Sequence, residues 1–284
     1  MIYSAVNQKA ITKQIHQLTT RIPPLHTLNP PLALLADPQC SSERAHYLAA
    51  ALGIPLVSAP QGQALLLRLT KEHLELYKPG DPELPGALWV DFEPPAARHR
   101  ASHPGRELLV AATKVRHTAI PLVIDATAGL GRDGFLLAAA GCRVQMFEYN
   151  PIIAALLRDG LERAARSPRT AAIAGRIHLT LGNALDYLPI LDEPPDVIYL
   201  DPMFPLRSKS AKVKQDLRLL QLLDEKNESP ERLLQAALAV RPKKVVVKRP
   251  LKGPSLLGLP PSYTLKGKAI RFDVYVGMPK DSTD

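Results

Sequence analysis

Cysteine is almost missing from this chain: Cys40 and Cys142 are the only two among 284 residues. That excludes a disulfide scaffold and suits a reducing compartment. Long apolar runs are missing too. No uninterrupted stretch approaches the ~20 residues of a membrane span, and the N-terminal MIYSAVNQKAITKQI has no apolar core like that of a secretory signal. The expectations are a cytoplasmic protein with no membrane partner. Repeats and low-complexity tracts are absent. A metal-ligand set is lacking as well, because His99 and His103 share a linker with neither a cysteine nor a third well-spaced ligand. Acidic residues are in deficit, 27 against 36 basic, for a net charge of +9. The excess favours a polyanionic partner, without separating RNA from DNA or from a merely basic surface.

What is present is an ordinary soluble composition, 46% hydrophobic, long enough for one α/β domain of about 170 residues and a smaller unit. The expected division is a proline-containing extension at 1–32, a small α/β unit at 33–93, a basic linker and helix at 94–120 and the main domain at 121–284. SSERAHYLAAAL reads as a helix capped by Ser41 or Ser42. GIPLVSA, ALLLRLT, HLELYKP and ALWVDFE complete the small unit. Arg98, His99, Arg100, His103 and Arg106 crowd the linker, a solvated connection or a phosphate-holding hinge. Strand-like runs then alternate with helix-like ones: RVQMFEYN, PIIAALLRDGLERAA, IHLTLGN, DVIYLDP, VKQDLRLLQLLDE, PERLLQAALAV and KKVVVKRP. The tail YTLKGKAIRFDVYVG suits an antiparallel edge. This alternation predicts a mostly parallel layered sheet.

The stretch PLVIDATAGLGRDGFLLAAA, Pro121–Ala140, joins strand, glycine turn and helix. Gly129, Gly131 and Gly134 match G-x-G-x-x-G, a weak signal for a dinucleotide when it stands alone. Asp125 precedes the turn and Asp133 lies inside it. Two carboxylates repel pyrophosphate and suit a cofactor with a sulfonium, an ammonium and no phosphate. Glu148, ending the next strand, can accept both hydroxyls of a ribose. Asn183 can bond an adenine edge beside the small Ala184, or simply cap the helix ALDYL.

Ile198-Tyr199-Leu200-Asp201-Pro202-Met203-Phe204-Pro205 sets a carboxylate at a strand's C-terminal end, then a stiff turn with an aromatic ring. Asp-Pro-x-Phe-Pro belongs to the pattern of methyltransferases that act on exocyclic amines. Such an amine is a weak nucleophile, and Asp201, or a backbone carbonyl beside it, can accept an N–H and orient its lone pair toward a sulfonium methyl. Phe204 can stack on an extruded base, while Pro202 and Pro205 restrict the loop.

Together VIDATAGLGRDGFLLA, GCRVQMFEYNPIIAALLRDGL, VIYLDPMFP, KSAKVKQDLRLLQ, KKVVVKRP and KGKAIRFDVYVG resemble the bacterial 16S ribosomal RNA guanine-N2 methyltransferase family. The likeness covers most of 121–277 and extends through TKEHLELYKPGDP and VDF. It implies a class I methyltransferase fold, Rossmann-like, with a seven-stranded sheet, using S-adenosyl-L-methionine and releasing S-adenosylhomocysteine. It implies transfer to guanine N2 in 16S rRNA or the small ribosomal subunit, with no DNA partner and a monomer favoured. Arg132 and Asp133 match a cofactor-contact pair, Glu148 the diol-binding acid and Asp201 the acid beside the reactive centre. Tyr149 stands where relatives often carry arginine, and Asn183 and Ala184 where they often carry serines.

Basic residues follow the motif strands. Arg207, Lys209, Lys212, Lys214 and Arg218 come after DPMFP, Lys248, Arg249 and Lys252 after the fifth strand, and Lys266, Lys268 and Arg271 near the final turn. Strand ends form the ligand edge of such a sheet, so the first two groups are expected to rim the pocket and hold RNA phosphates. The readings left beside guanine N2 are amine methylation at adenine N6 or cytosine N4, a dinucleotide oxidoreductase, and a non-catalytic RNA-binding protein.

Overall fold

The computed structural model describes residues 31–60, 62, 64–93, 100–202, 211–223 and 229–277, with 211–214 described by backbone alone. The chain opens with β1 (Leu32–Ala36), α1 (Ser42–Leu52), β2 (Leu56–Val57), β3 (Leu65–Leu69) and β4 (Leu74–Tyr77). These strands form a sheet in the order β2-β1-β3-β4, in which β1 is parallel to β2 and β3, and β4 is antiparallel to β3. Ser41 caps α1 by accepting the Arg44 amide at 3.4 Å, and Gly53 closes it at a φ of 62°. An extension ending at residue 32 leaves no strand in LALLA. That segment is an interior strand of the sheet, its Leu32, Ala33 and Leu34 buried. A strand covered on both faces shows no alternation to read, and Pro31 contributes only its carbonyl, which accepts from Ala64 and Leu65 at 3.2 and 3.3 Å.

After α2 (Leu108–Thr113) come β5 (Leu122–Asp125), α3 (Arg132–Ala139), β6 (Arg143–Glu148), α4 (Pro151–Arg166), α5 (Ala171–Ala174), β7 (Ile177–Leu181) and α6 (Ala184–Tyr187). Then follow β8 (Val197–Leu200), α7 (Ala211–Leu223), α8 (Pro230–Ala239), β9 (Lys244–Pro250), β10 (Tyr263–Lys266) and β11 (Ile270–Val276). The second sheet runs β10-β11-β9-β8-β5-β6-β7. Strands β5 to β9 pair in parallel, and β11 is antiparallel to both β9 and β10. The mostly parallel seven-stranded sheet and its antiparallel edge are therefore as expected. Because β6 and β8 flank β5 on opposite sides, strand order reverses at β5, and ligands of such sheets bind where the strand C-termini part.

The small sheet packs onto the large one through α4. Asp159, buried on that helix, accepts the Leu74 amide at 3.1 Å and pairs with Arg163 at 3.0 Å and Arg44 at 3.4 Å. Arg163 also donates to the Val90 carbonyl, and Phe92 stacks on Phe135 of α3 at 4.2 Å. One apolar core runs from Leu34 through Leu76 and Phe92 to Leu137 and Val246. Among the described residues, no helix is long and apolar enough to cross a membrane.

Candidate active site

The turn after β5 is built by close packing. A Cβ on Gly131, which has a φ of 72°, would overlap Leu157, and one on Gly134 would overlap Met146 and stand 3.0 Å from Asp125 Oδ2. These two glycines let α3 sit against α4 and β6. Of the three turn glycines only Gly129 borders the cleft beside it.

That cleft, about 700 Å³, lies between the ends of β5, β6, β7 and β8. It brings together Gly129, Glu148, Tyr149, Asn183, Ala184, Asp201 and Pro202, seven of the residues singled out from sequence. Ala126, Thr127, Phe147, Ile153, Gly182, Leu220 and Leu233 complete its walls. These carry no chemical signature in the sequence; Ala126, Thr127, Phe147 and Gly182 stand at or beside strand ends, while Ile153, Leu220 and Leu233 come from the helices α4, α7 and α8. Thr127 has a definite task, since its Oγ1 accepts the Asp201 amide at 2.7 Å and so pins the start of the turn after β8.

Glu148 is buried, and its two oxygens accept the amides of Gly129 and Asn150, each at 2.8 Å. Asn183 caps α6 by accepting the Leu185 amide at 2.8 Å, so the capping alternative describes its Oδ1. Tyr149 is 41% exposed at the rim.

The acids of the turn differ from expectation. Asp125 is 1% exposed and is not part of the cleft wall. Burial drives its pKa up to about 8, against the Thr127 amide and Lys248, which work to lower it. Asp133 is already compensated: Lys248 Nζ lies 2.7 Å away, the buried Tyr199 hydroxyl donates to it at 2.8 Å, and Arg100 from the linker approaches to 3.6 Å. Burial opposes its ionisation, but Lys248 and these partners hold it below the ordinary carboxylate range. Asp201 shares Lys248 at 2.7 Å; burial raises its pKa in spite of that ammonium.

Three expectations need correction. Arg132 turns away from the cleft, drawn to the buried Asp216 of α7 at 2.8 Å, and borders a separate depression with Trp89 and Asp91. Lys248 is no phosphate-facing lysine, because its ammonium is held between Asp133 and Asp201. Arg249 is 5% exposed and donates to the Pro254 carbonyl at 2.7 Å, because alternation along β9 turns it inward. Phe204, Arg207 and Lys209 lie outside the described residues, as do the side chains of Lys212 and Lys214 in the first turn of α7. Arg218 pairs with Glu83 at 3.0 Å.

The cleft suits S-adenosylmethionine better than a dinucleotide. The Gly129 amide, which would have to face pyrophosphate, is spent on Glu148, and the first turn of α3 carries Asp133. A carboxylate at the end of β6 with small and apolar walls beside it offers a ribose diol and a flat ring system what each needs.

Comparison with known proteins agrees. The SAM-dependent methyltransferase family matches residues 49–277. The ribosomal RNA small subunit methyltransferase J of Thioalkalivibrio sulfidiphilus is 47% identical over 238 residues, covering 82% of this chain and 93% of that protein. The protein of the same name from Pseudomonas aeruginosa strain UCBPP-PA14 is 45% identical over 246 residues, 86% of this chain and 92% of its own. The crystal structure of a SAM-dependent methyltransferase from Neisseria gonorrhoeae superposes with a TM-score of 0.70 at 37% identity, covering 88% of this chain and 97% of that one. With its glycine turn, Glu148 and Asp201 around one cleft, this chain belongs to the ribosomal RNA small subunit methyltransferase J family of S-adenosylmethionine-dependent, class I methyltransferases.

Proposed function

We propose that this chain methylates the exocyclic N2 of a guanine in 16S rRNA, giving N2-methylguanosine and S-adenosylhomocysteine. The observation that carries the reading is the placement of Glu148, at the end of β6, and Asp201, just past β8, in the wall of one cleft. The first is placed for the cofactor's ribose and the second for the acceptor amine. The names of the relatives support small-subunit rRNA as the substrate.

S-adenosylmethionine supplies a methyl carbon made electrophilic by its sulfonium. Glu148 holds the ribose hydroxyls, and Ala184, Phe147 and Ile153 offer an apolar slot for the adenine, with Tyr149 over its rim. Asp201 accepts an N–H of the guanine amine and aims its lone pair; Thr127 fixes the backbone from which Asp201 projects. Bringing amine and methyl to about 3–3.5 Å in line is the main catalytic contribution. Phe204 stacks on the extruded base, and Arg207, Lys209, Lys212 and Lys214 hold neighbouring phosphates.

Incubation of the purified chain with labelled S-adenosylmethionine and either protein-free 16S rRNA or small ribosomal subunits tests this reading. Label entering one of these RNAs is expected. Label entering neither, with the cofactor bound, overturns it.

A further inference from the structure

Lys248 is the fifth residue of β9, on the same face as Val246, which packs in the core layer that contains α3. Strands β8 and β9 pair Tyr199 with Val246 and Leu200 with Val247. One further step along that register brings Lys248 beside Asp201. Its Nζ lies 2.7 Å from Asp201 Oδ2 and 2.7 Å from Asp133 Oδ2, the oxygen that also accepts the Tyr199 hydroxyl at 2.8 Å. The ammonium is only partly exposed and is held by both carboxylates, so an incoming RNA phosphate would have to displace two charge-assisted bonds to reach it.

We infer that Lys248 is a positioning residue for methyl transfer: it fixes Asp201 for the acceptor amine and links that carboxylate through Asp133 to the glycine turn. The inference rests on the role proposed above for Asp201. With Oδ2 committed to Lys248, Oδ1 is the oxygen that meets the guanine N–H. As N2 forms its bond to the methyl carbon, the C–S bond breaks and its electron pair stays on sulfur. The proton lost from N2 passes to Asp201 and then to water. Asp201 must be ionised to do this. The charged and titratable groups around it are Asp133 from α3, Asp125 from β5, Tyr199 from β8 and Lys248 from β9, with Arg100 behind Asp133. Among these Lys248 is the cation within bonding distance. Without it two carboxylates face each other, and one retains a proton to higher pH.

The test compares Lys248→Met and Lys248→Arg, each alone and with Asp201→Asn, for kcat against pH on rRNA and for S-adenosylmethionine affinity. In Lys248→Met, kcat is expected to fall on the order of 100-fold. The acid limb of its pH profile should move up by about one unit or more, while cofactor affinity stays within about threefold. Lys248→Arg should restore the acid limb. In the Asp201→Asn background, Lys248→Met should cost less than about threefold more, because residues acting as one unit are not additive. A folded Lys248→Met with the parent profile overturns the inference, as does a full additional loss in the Asp201→Asn background. If Lys248→Met does not fold, Lys248→Gln, which keeps a donor and loses the charge while both carboxylates remain, decides: the same raised acid limb supports the inference and the parent profile overturns it. Full turnover by Asp201→Asn alone would overturn the role of Asp201 itself.

Discussion

The Gly129 amide donates to Glu148 Oε2 at 2.8 Å, clamping the turn after β5 to the end of β6. The clamp gives the glycine motif its meaning here. An amide that would grip phosphate in a dinucleotide enzyme instead orients the carboxylate proposed here to receive a ribose, and the second oxygen of Glu148 is steadied by Asn150 at 2.8 Å.

Glu148→Gln sets an NH2 group against one of those two backbone donors. A charged hydrogen-bond arrangement of this kind is worth about 1.5–3 kcal/mol, so S-adenosylmethionine affinity measured by calorimetry should fall roughly 10–100-fold. A dissociation constant unchanged from the parent would remove Glu148 from the cofactor site.

Asp125 binds its proton more tightly folded than unfolded, since burial lifts its pKa to about 8 from an ordinary 3.8. The native state then holds more protons than the unfolded chain between those values, and stability should decline as pH rises through that window. Asp125→Asn, which keeps an oxygen for the Thr127 amide, should flatten the decline. Urea unfolding at pH 5 and at pH 8.5 checks it; an equally steep loss in the variant would assign the effect elsewhere.

The turn glycines should separate in their effects. Gly134→Ala forces a methyl against Met146 and toward Asp125, and overpacking of this kind costs about 1–3 kcal/mol. Gly129, with a φ of 53°, has only the Thr127 carbonyl at 4.0 Å near its missing Cβ. Gly129→Ala should therefore lose about 1 kcal/mol to left-handed strain, with a larger effect on cofactor binding than on folding. Thermal unfolding beside cofactor titration distinguishes them, and equal behaviour of both variants would contradict the packing account.

Lys212→Ala with Lys214→Ala should weaken RNA binding and lower the salt slope by roughly 0.7 for each single-strand phosphate left without its lysine. Filter binding across a salt series reads this directly. A parent-like slope would exclude both lysines from the footprint.

The order of elements in the main domain was legible because strand, turn and helix signals alternate cleanly from Pro121 onward, and Pro151 and Ser229 sit where helices start. Strand β1 was not legible, because LALLA is buried without alternation. At the site, motif residues at strand ends came together as read: Gly129, Glu148, Asp201 and Pro202 share the cleft. What failed was the direction of long charged side chains. The family resemblance put Arg132, and position after a strand put Lys248 and Arg249, near the ligand edge, but their targets, Asp216, the Asp133–Asp201 pair and the Pro254 carbonyl, are set by tertiary neighbours distant in the chain or across a turn. The same limit applied to the acidic turn, where burial and Lys248 decide the charge of Asp125 and Asp133.

The most direct measurement is nucleoside analysis by mass spectrometry of 16S rRNA labelled by this enzyme from S-adenosylmethionine. The account predicts N2-methylguanosine, lost when Asp201 is replaced by alanine in a protein that still binds the cofactor. N6-methyladenosine or N4-methylcytidine as the labelled product, or undiminished N2-methylguanosine from the Asp201→Ala enzyme, would contradict it.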